Sequence, residues 1–188
     1  MAIGINEINT GIGLKINDEI YLVTEYHHVK PGKGSAFVRV RLRSLKNDAM
    51  LERTFRSSDK LEDVNLEEKK FEFLYRSGDT FHFMDHSTYE EVVITQDQIG
   101  EGANFLLENL KVEGLTYNNK VLKVILPNFI VAKIVESEPG IRGDSTKLGT
   151  KPAKIETGVI IQVPLFINTN DWVKIDTRTG EYVERVQK

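Results

Sequence analysis

The chain has 188 residues, 28% charged and 40% hydrophobic, a composition that specifies a folded globular protein rather than a disordered one. Lysine and arginine number 25 against 28 aspartate and glutamate, a net charge of -3 that excludes sequence-indifferent coating of a polyanion. There is no cysteine, which excludes disulfides, thiolate nucleophiles and cysteine-bound metals, and no stretch approaches the roughly 18 apolar residues of a membrane helix.

The first residues lack a basic region followed by an apolar core, so no signal peptide is expected and the predicted location is cytoplasmic. Residues 13–16 and 19–23 alternate with a period of two around Asn17-Asp18 and predict a hairpin. Residues 37–43 and 52–56 predict two more strands, and Ser57-Ser58-Asp59-Lys60 a turn with a helix N-cap. Strands are expected at 69–75, 80–84 and 89–94, followed by a short amphipathic helix between Gln98 and Leu110. A hairpin over 112–126 turns at Asn118-Asn119. The last third predicts strands at 129–135, 158–166, 172–176 and 181–186, with a Gly-rich loop over 138–151. Phe71, Phe73, Phe81, Phe83 and Phe105 recur at core spacing. The pattern is all-β, built from small barrels.

Charge is unevenly spread. Residues 1–62 carry 10 basic and 8 acidic side chains, 63–128 carry 6 and 12, and 129–188 carry 9 and 8. The middle segment therefore holds the excess acid, and a polyanion would meet the ends.

From Tyr26 to Asn47 there are six basic residues and no acidic one. In an extended strand Arg39, Arg41 and Arg43 share one face while Val38, Val40 and Leu42 share the other. Such a guanidinium row suits phosphate, and equally suits a solvated strand face. Just before it, Lys30-Pro31-Gly32-Lys33-Gly34-Ser35 reads as a hairpin loop with Lys33 at its apex. The loop lacks the spacing of a phosphate-binding P-loop, and Gly11-Ile12-Gly13 lacks the third glycine of a dinucleotide site. His82 and His86 lie near Asp85, but strand alternation separates them and no third ligand is specified, so no metal and no cofactor are expected. His27 and His28 should face opposite ways. No nucleophilic triad or carboxylate pair is specified, and the chain is not expected to be an enzyme.

Residues 29–40, Val-Lys-Pro-Gly-Lys-Gly-Ser-Ala-Phe-Val-Arg-Val, resemble the modification loop of bacterial translation elongation factor P. Phe81-His82-Phe83-Met84-Asp85, Pro127-Asn128-Phe129, residues 138–145, Lys151-Pro152-Ala153, residues 163–166 and residues 176–182 resemble later signatures of the same family, in order along nearly the whole chain. The resemblance implies three small β-barrels in an L shape: an SH3-like (KOW-type) barrel over 1–63, then two OB-fold barrels over 64–127 and 128–188. It implies a translation factor that binds the 70S ribosome between the peptidyl and exit sites, contacts peptidyl-tRNA and ribosomal RNA, and relieves stalling at consecutive prolines. Lys33 would meet the CCA end and receive a modification from a lysine-modifying enzyme, framed by Lys30, Pro31, Gly32 and Gly34. Arg39, Arg41 and Arg43 would hold tRNA phosphates. Gly143, Asp144 and Ser145 match the exit-site loop, although Ser145, Lys147 and Leu148 depart from its usual pattern. Tyr182 and Arg185 are further RNA contacts by family position. A monomer without membrane attachment is expected. The alternatives are a paralogous factor-P-like protein with another ribosomal task and a generic RNA-binding OB protein.

Overall fold

The computed structural model describes residues 2–32, 34–138 and 149–187. Three curled sheets run in chain order, as the alternation predicts. The first has the strand order β1-β6-β2-β3-β4-β5, from β1 (Ala2–Ile3), β2 (Gly13–Ile16), β3 (Glu19–Val29), β4 (Phe37–Ser44), β5 (Met50–Arg56) and β6 (Leu61–Val64). The second has the order β11-β10-β7-β8-β9, from β7 (Glu67–Ser77), β8 (Thr80–Asp85), β9 (Glu91–Thr95), β10 (Lys111–Tyr117) and β11 (Lys120–Ile125). The third has the order β14-β13-β12-β15-β16, from β12 (Phe129–Ser137), β13 (Thr150–Ile155), β14 (Ile160–Pro164), β15 (Trp172–Asp176) and β16 (Glu181–Val186).

The two Asx-rich hairpins form where the turn residues specify them. Asn17 and Asp18 both take positive φ, as do Asn118 and Asn119, the backbone a tight two-residue β-turn requires. The helical pattern after Thr95 resolves into α1 (Gln96–Ile99) and a 3-10 stretch (Gly100–Phe105). Thr95 and Gln98 form a capping box there.

Two expectations fail. No helix follows Asp59, whose carboxylate accepts the Arg56 N–H at 2.8 Å and closes a turn into β6. The four residues of β6 are then held by pairing with both β1 and β2, a long-range partnership invisible to local periodicity. The segment read as loop up to Lys151 ends earlier, because β13 begins at Thr150 and runs through Pro152 with Lys151, Ala153 and Ile155 buried.

By contacts the chain forms two compact units, 1–69 with 114–124, and 70–113 with 125–188. The first is cored by Ile8, Leu14, Val23, Val38, Val40 and Leu42. In the second, Ile134, Ile155, Ile167 and Ile175 are fully buried and Phe105 packs against them. Phe71, Phe73, Phe81 and Phe83 are buried as their spacing predicts. No helix of the described residues is long and apolar enough to cross a membrane.

Candidate nucleic-acid interface

Strands β3 and β4 form a long antiparallel hairpin whose register runs from Tyr21↔Ser44 to Val29↔Phe37. The pairing ends at that last pair, so residues 30–36 are the connecting loop. Val38, Val40 and Leu42 are 0% exposed and fix the orientation of β4, which turns Arg39 and Arg41 outward. Lys30, Pro31, Gly32 and Gly34 are exposed. Gly34 takes φ +111°, a conformation in which a side chain is strained, so the glycine after position 33 is required by the turn. Lys33 itself lies outside the described residues, as do Gly143, Asp144 and Ser145.

The guanidinium row is not a bare one. In register, Arg41 stands between Glu25 on β3 and Glu52 on β5. Its Nη1 lies 3.0 Å from the Glu25 carboxylate, while Arg39 Nε lies 3.4 Å from Glu52. Arg43 is half-buried, and its Nε is buried without a hydrogen-bond partner. Two of the cations in the acid-free window, Arg39 and Arg41, are therefore paired in space with carboxylates from the flanking strands. Both ion pairs are about half exposed, which makes them weak and exchangeable for an incoming phosphate.

Lys30 and Arg56 are exposed and make no ion pair among the described residues. Arg56 pairs in register with Phe37, the first residue of β4, and so belongs to the loop end of the hairpin. It lies outside the window that singled out the arginine row, and only the β4–β5 pairing brings it there. His27 faces Arg39 across the hairpin on the outer side. His28 is on the other face, edge-on to Tyr26 with ring centroids 5.4 Å apart, so the two histidines do face opposite ways.

The remaining candidates sit in the second unit. Tyr182 is half-buried against the core, and that burial raises its phenol pKa above the ordinary value. Arg185 is exposed, its guanidinium 5.9 Å from the Phe166 ring centroid. His82 and His86 each have their own carboxylate, Glu91 at 2.5 Å and Glu72 at 3.1 Å. The His82 hydrogen bond holds the Glu91 carboxyl below its usual range. Among the described residues no group of three or more His, Cys, Asp or Glu side chains is placed to hold a metal.

Residues 4–61 match the elongation factor P KOW-like domain, 66–124 its OB domain and 130–185 its C-terminal domain. The elongation factor P of Moorella thermoacetica is 45% identical over 97% of this chain and 99% of its own length. The chain belongs to the elongation factor P family. The elongation factor P of Symbiobacterium thermophilum is 44% identical over the same shares of the two chains. Among solved structures, eukaryotic translation initiation factor 5A from Methanococcus jannaschii is similar with a TM-score of 0.52 and 25% identity. That similarity covers 66% of this chain and 94% of the other. The sheets are thus those of a KOW-like domain followed by OB-type domains, and the factor is a translation factor of the elongation factor P and initiation factor 5A type.

Proposed function

We propose that the factor binds the ribosome between the peptidyl and exit sites and relieves stalling at consecutive prolines, with Lys33 reaching the CCA end of peptidyl-tRNA. The observation that carries this reading is the β3–β4 hairpin, a strand pair anchored by buried valines that ends in an exposed Gly-framed loop, in a chain of this family. Three domains over 1–63, 64–127 and 128–188 serve the two ends of the task. The loop end meets the tRNA acceptor arm, and the segment containing Gly143, Asp144 and Ser145 meets exit-site messenger RNA. Peptide-bond formation remains the chemistry of ribosomal RNA, and the factor supplies orientation of a stiff prolyl donor, an effect worth several kcal/mol where geometry limits the rate. Lys33 needs no perturbed acidity for this, because a positioned cation and its three donors suffice. A modifying enzyme acting on Lys33 in the cytoplasm would extend its reach.

The test is reconstituted translation of a reporter with consecutive prolines. Lys33→Ala should fold as the wild type does, by circular dichroism melting, and lose rescue. Equal rescue by both proteins would overturn the reading and favour a paralogous factor or a generic RNA-binding protein. Intact-mass measurement of the native protein would reveal any group carried on Lys33.

A further inference from the structure

The second unit carries a cleft of about 760 Å³ whose lining is aromatic and acidic. Tyr75, Phe81 and Trp172 supply rings, and Glu108, Glu156 and Thr157 supply polar groups. The basic residue of this lining, Arg76, is already engaged: its Nε donates to the Gly78 carbonyl at 2.8 Å and its guanidinium lies 5.0 Å from the Phe81 ring centroid. The cleft therefore already holds one guanidinium against an aromatic face. Three acceptors remain. Glu108 is exposed and makes no ion pair among the described residues. Glu156 uses Oε1 to accept the Lys133 N–H at 2.9 Å, which leaves its second oxygen. Thr157 Oγ1 is buried without a hydrogen-bond partner, a cost that an incoming N–H donor would remove.

Aromatic faces beside carboxylates attract a cation, and attract it more strongly once water is displaced. A nucleic-acid strand is the poorer occupant, because its phosphates would meet the Glu108 and Glu156 carboxylates, and Glu108 belongs to the segment that carries the chain's excess acid. We propose that this cleft docks a basic protein segment, taking an arginine or lysine side chain against Tyr75 and Trp172 with its charge toward Glu108 and Glu156. The proposal is independent of the Lys33 loop and concerns a protein contact of the factor.

Trp172 is the chain's single tryptophan, so its emission reports on the cleft alone. An alternating Gly-Arg octapeptide titrated into the full chain at low ionic strength should give a saturable change in Trp172 emission that added salt reverses. Glu108→Gln with Glu156→Gln should weaken that binding by about tenfold or more. The same charge change outside the cleft, Glu67→Gln with Glu68→Gln, should leave it unchanged. The Gln at 156 keeps an acceptor for the Lys133 N–H, and circular dichroism melting checks both double variants for folding. The proposal is overturned if no saturable change appears, if the two double variants weaken binding equally, or if oligouridine produces the change and the peptide does not.

Discussion

The ammonium of Lys123, with only 10% of its side chain exposed, is paired with the carboxylate of Asp48, a residue held at φ 57° in the turn between β4 and β5. The pair joins a turn of the first sheet to β11 of the second within one compact unit. A lysine so buried has few alternatives to its partner. Asp48→Asn should therefore destabilise the protein by about 1–3 kcal/mol in urea denaturation, below the full effect of breaking a fully buried pair because Asp48 is half-exposed. Adding Lys123→Met should recover most of that loss, since it removes the unpaired charge. A double variant no more stable than Asp48→Asn alone would show that the pair is incidental.

The Glu25 and Glu52 carboxylates compete with any phosphate for Arg41 and Arg39. On the proposed function, Glu25→Gln with Glu52→Gln should tighten ribosome binding and steepen its salt dependence, because two guanidinium groups become free to displace counterions. Arg56→Ala, which removes a cation at the loop end that makes no ion pair among the described residues, should lower the slope of log affinity against log salt by about 0.7–0.9. Arg41→Ala should lower it less. Salt titrations of ribosome binding separate these outcomes, and equal slopes for the two arginine variants would exclude the competition.

Asp176 takes two guanidinium hydrogen bonds from Arg178, at 3.0 and 2.6 Å, and that residue's N–H at 2.9 Å. Together they hold its pKa at about 2 against an ordinary 3.8. A carboxyl whose folded pKa is depressed favours folding above its unfolded pKa, and that contribution disappears as pH falls through the folded value. Stability should therefore decline between about pH 4 and pH 2 partly through this group, and Asp176→Asn should flatten that part of the acid limb. Urea midpoints across the range, for wild type and variant, test it. Parallel acid limbs would show that Arg178 contributes nothing through Asp176.

The alternation along β4 was legible in the sequence because its period-two pattern meets a single buried face: Val38, Val40 and Leu42 point inward and Arg39 and Arg41 outward. What those arginines touch was not legible. Glu25 reaches Arg41 only through a register that includes an irregularity between Val23 and Glu25, and Glu52 only through a third strand. The same reason hid Arg56. Local chemistry misled where a polar turn resembled a cap, since Ser57 to Lys60 satisfies its backbone through Asp59 and leads into a strand. The Gly-rich segment read as loop to Lys151 gives way to β13 at Thr150, where Lys151, Pro152 and Ala153 pair with Val163, Gln162 and Ile161. Each miss turns on which strand a segment pairs with, which local composition does not encode.

Gly13, in the Gly11-Ile12-Gly13 string that lacks the third glycine of a dinucleotide site, has a structural reason. It pairs with Val64, and a Cβ built at position 13 would lie 2.9 Å from the Val64 carbonyl oxygen and 3.0 Å from Leu66 Cγ. The Leu66 side chain can turn aside, but the Val64 oxygen belongs to the β2–β6 pairing and cannot move without opening it. Gly13→Ala should thus cost about 1–3 kcal/mol, and Leu66→Ala added to it should restore only part. Gly11, two residues earlier, has nothing near its missing Cβ but takes φ +92°. Gly11→Ala should cost about 1–2 kcal/mol through backbone strain alone, with no relief from any neighbouring truncation. Denaturation of the three variants distinguishes crowding from strain, and full recovery of Gly13→Ala by Leu66→Ala would show that the carbonyl does not limit the approach.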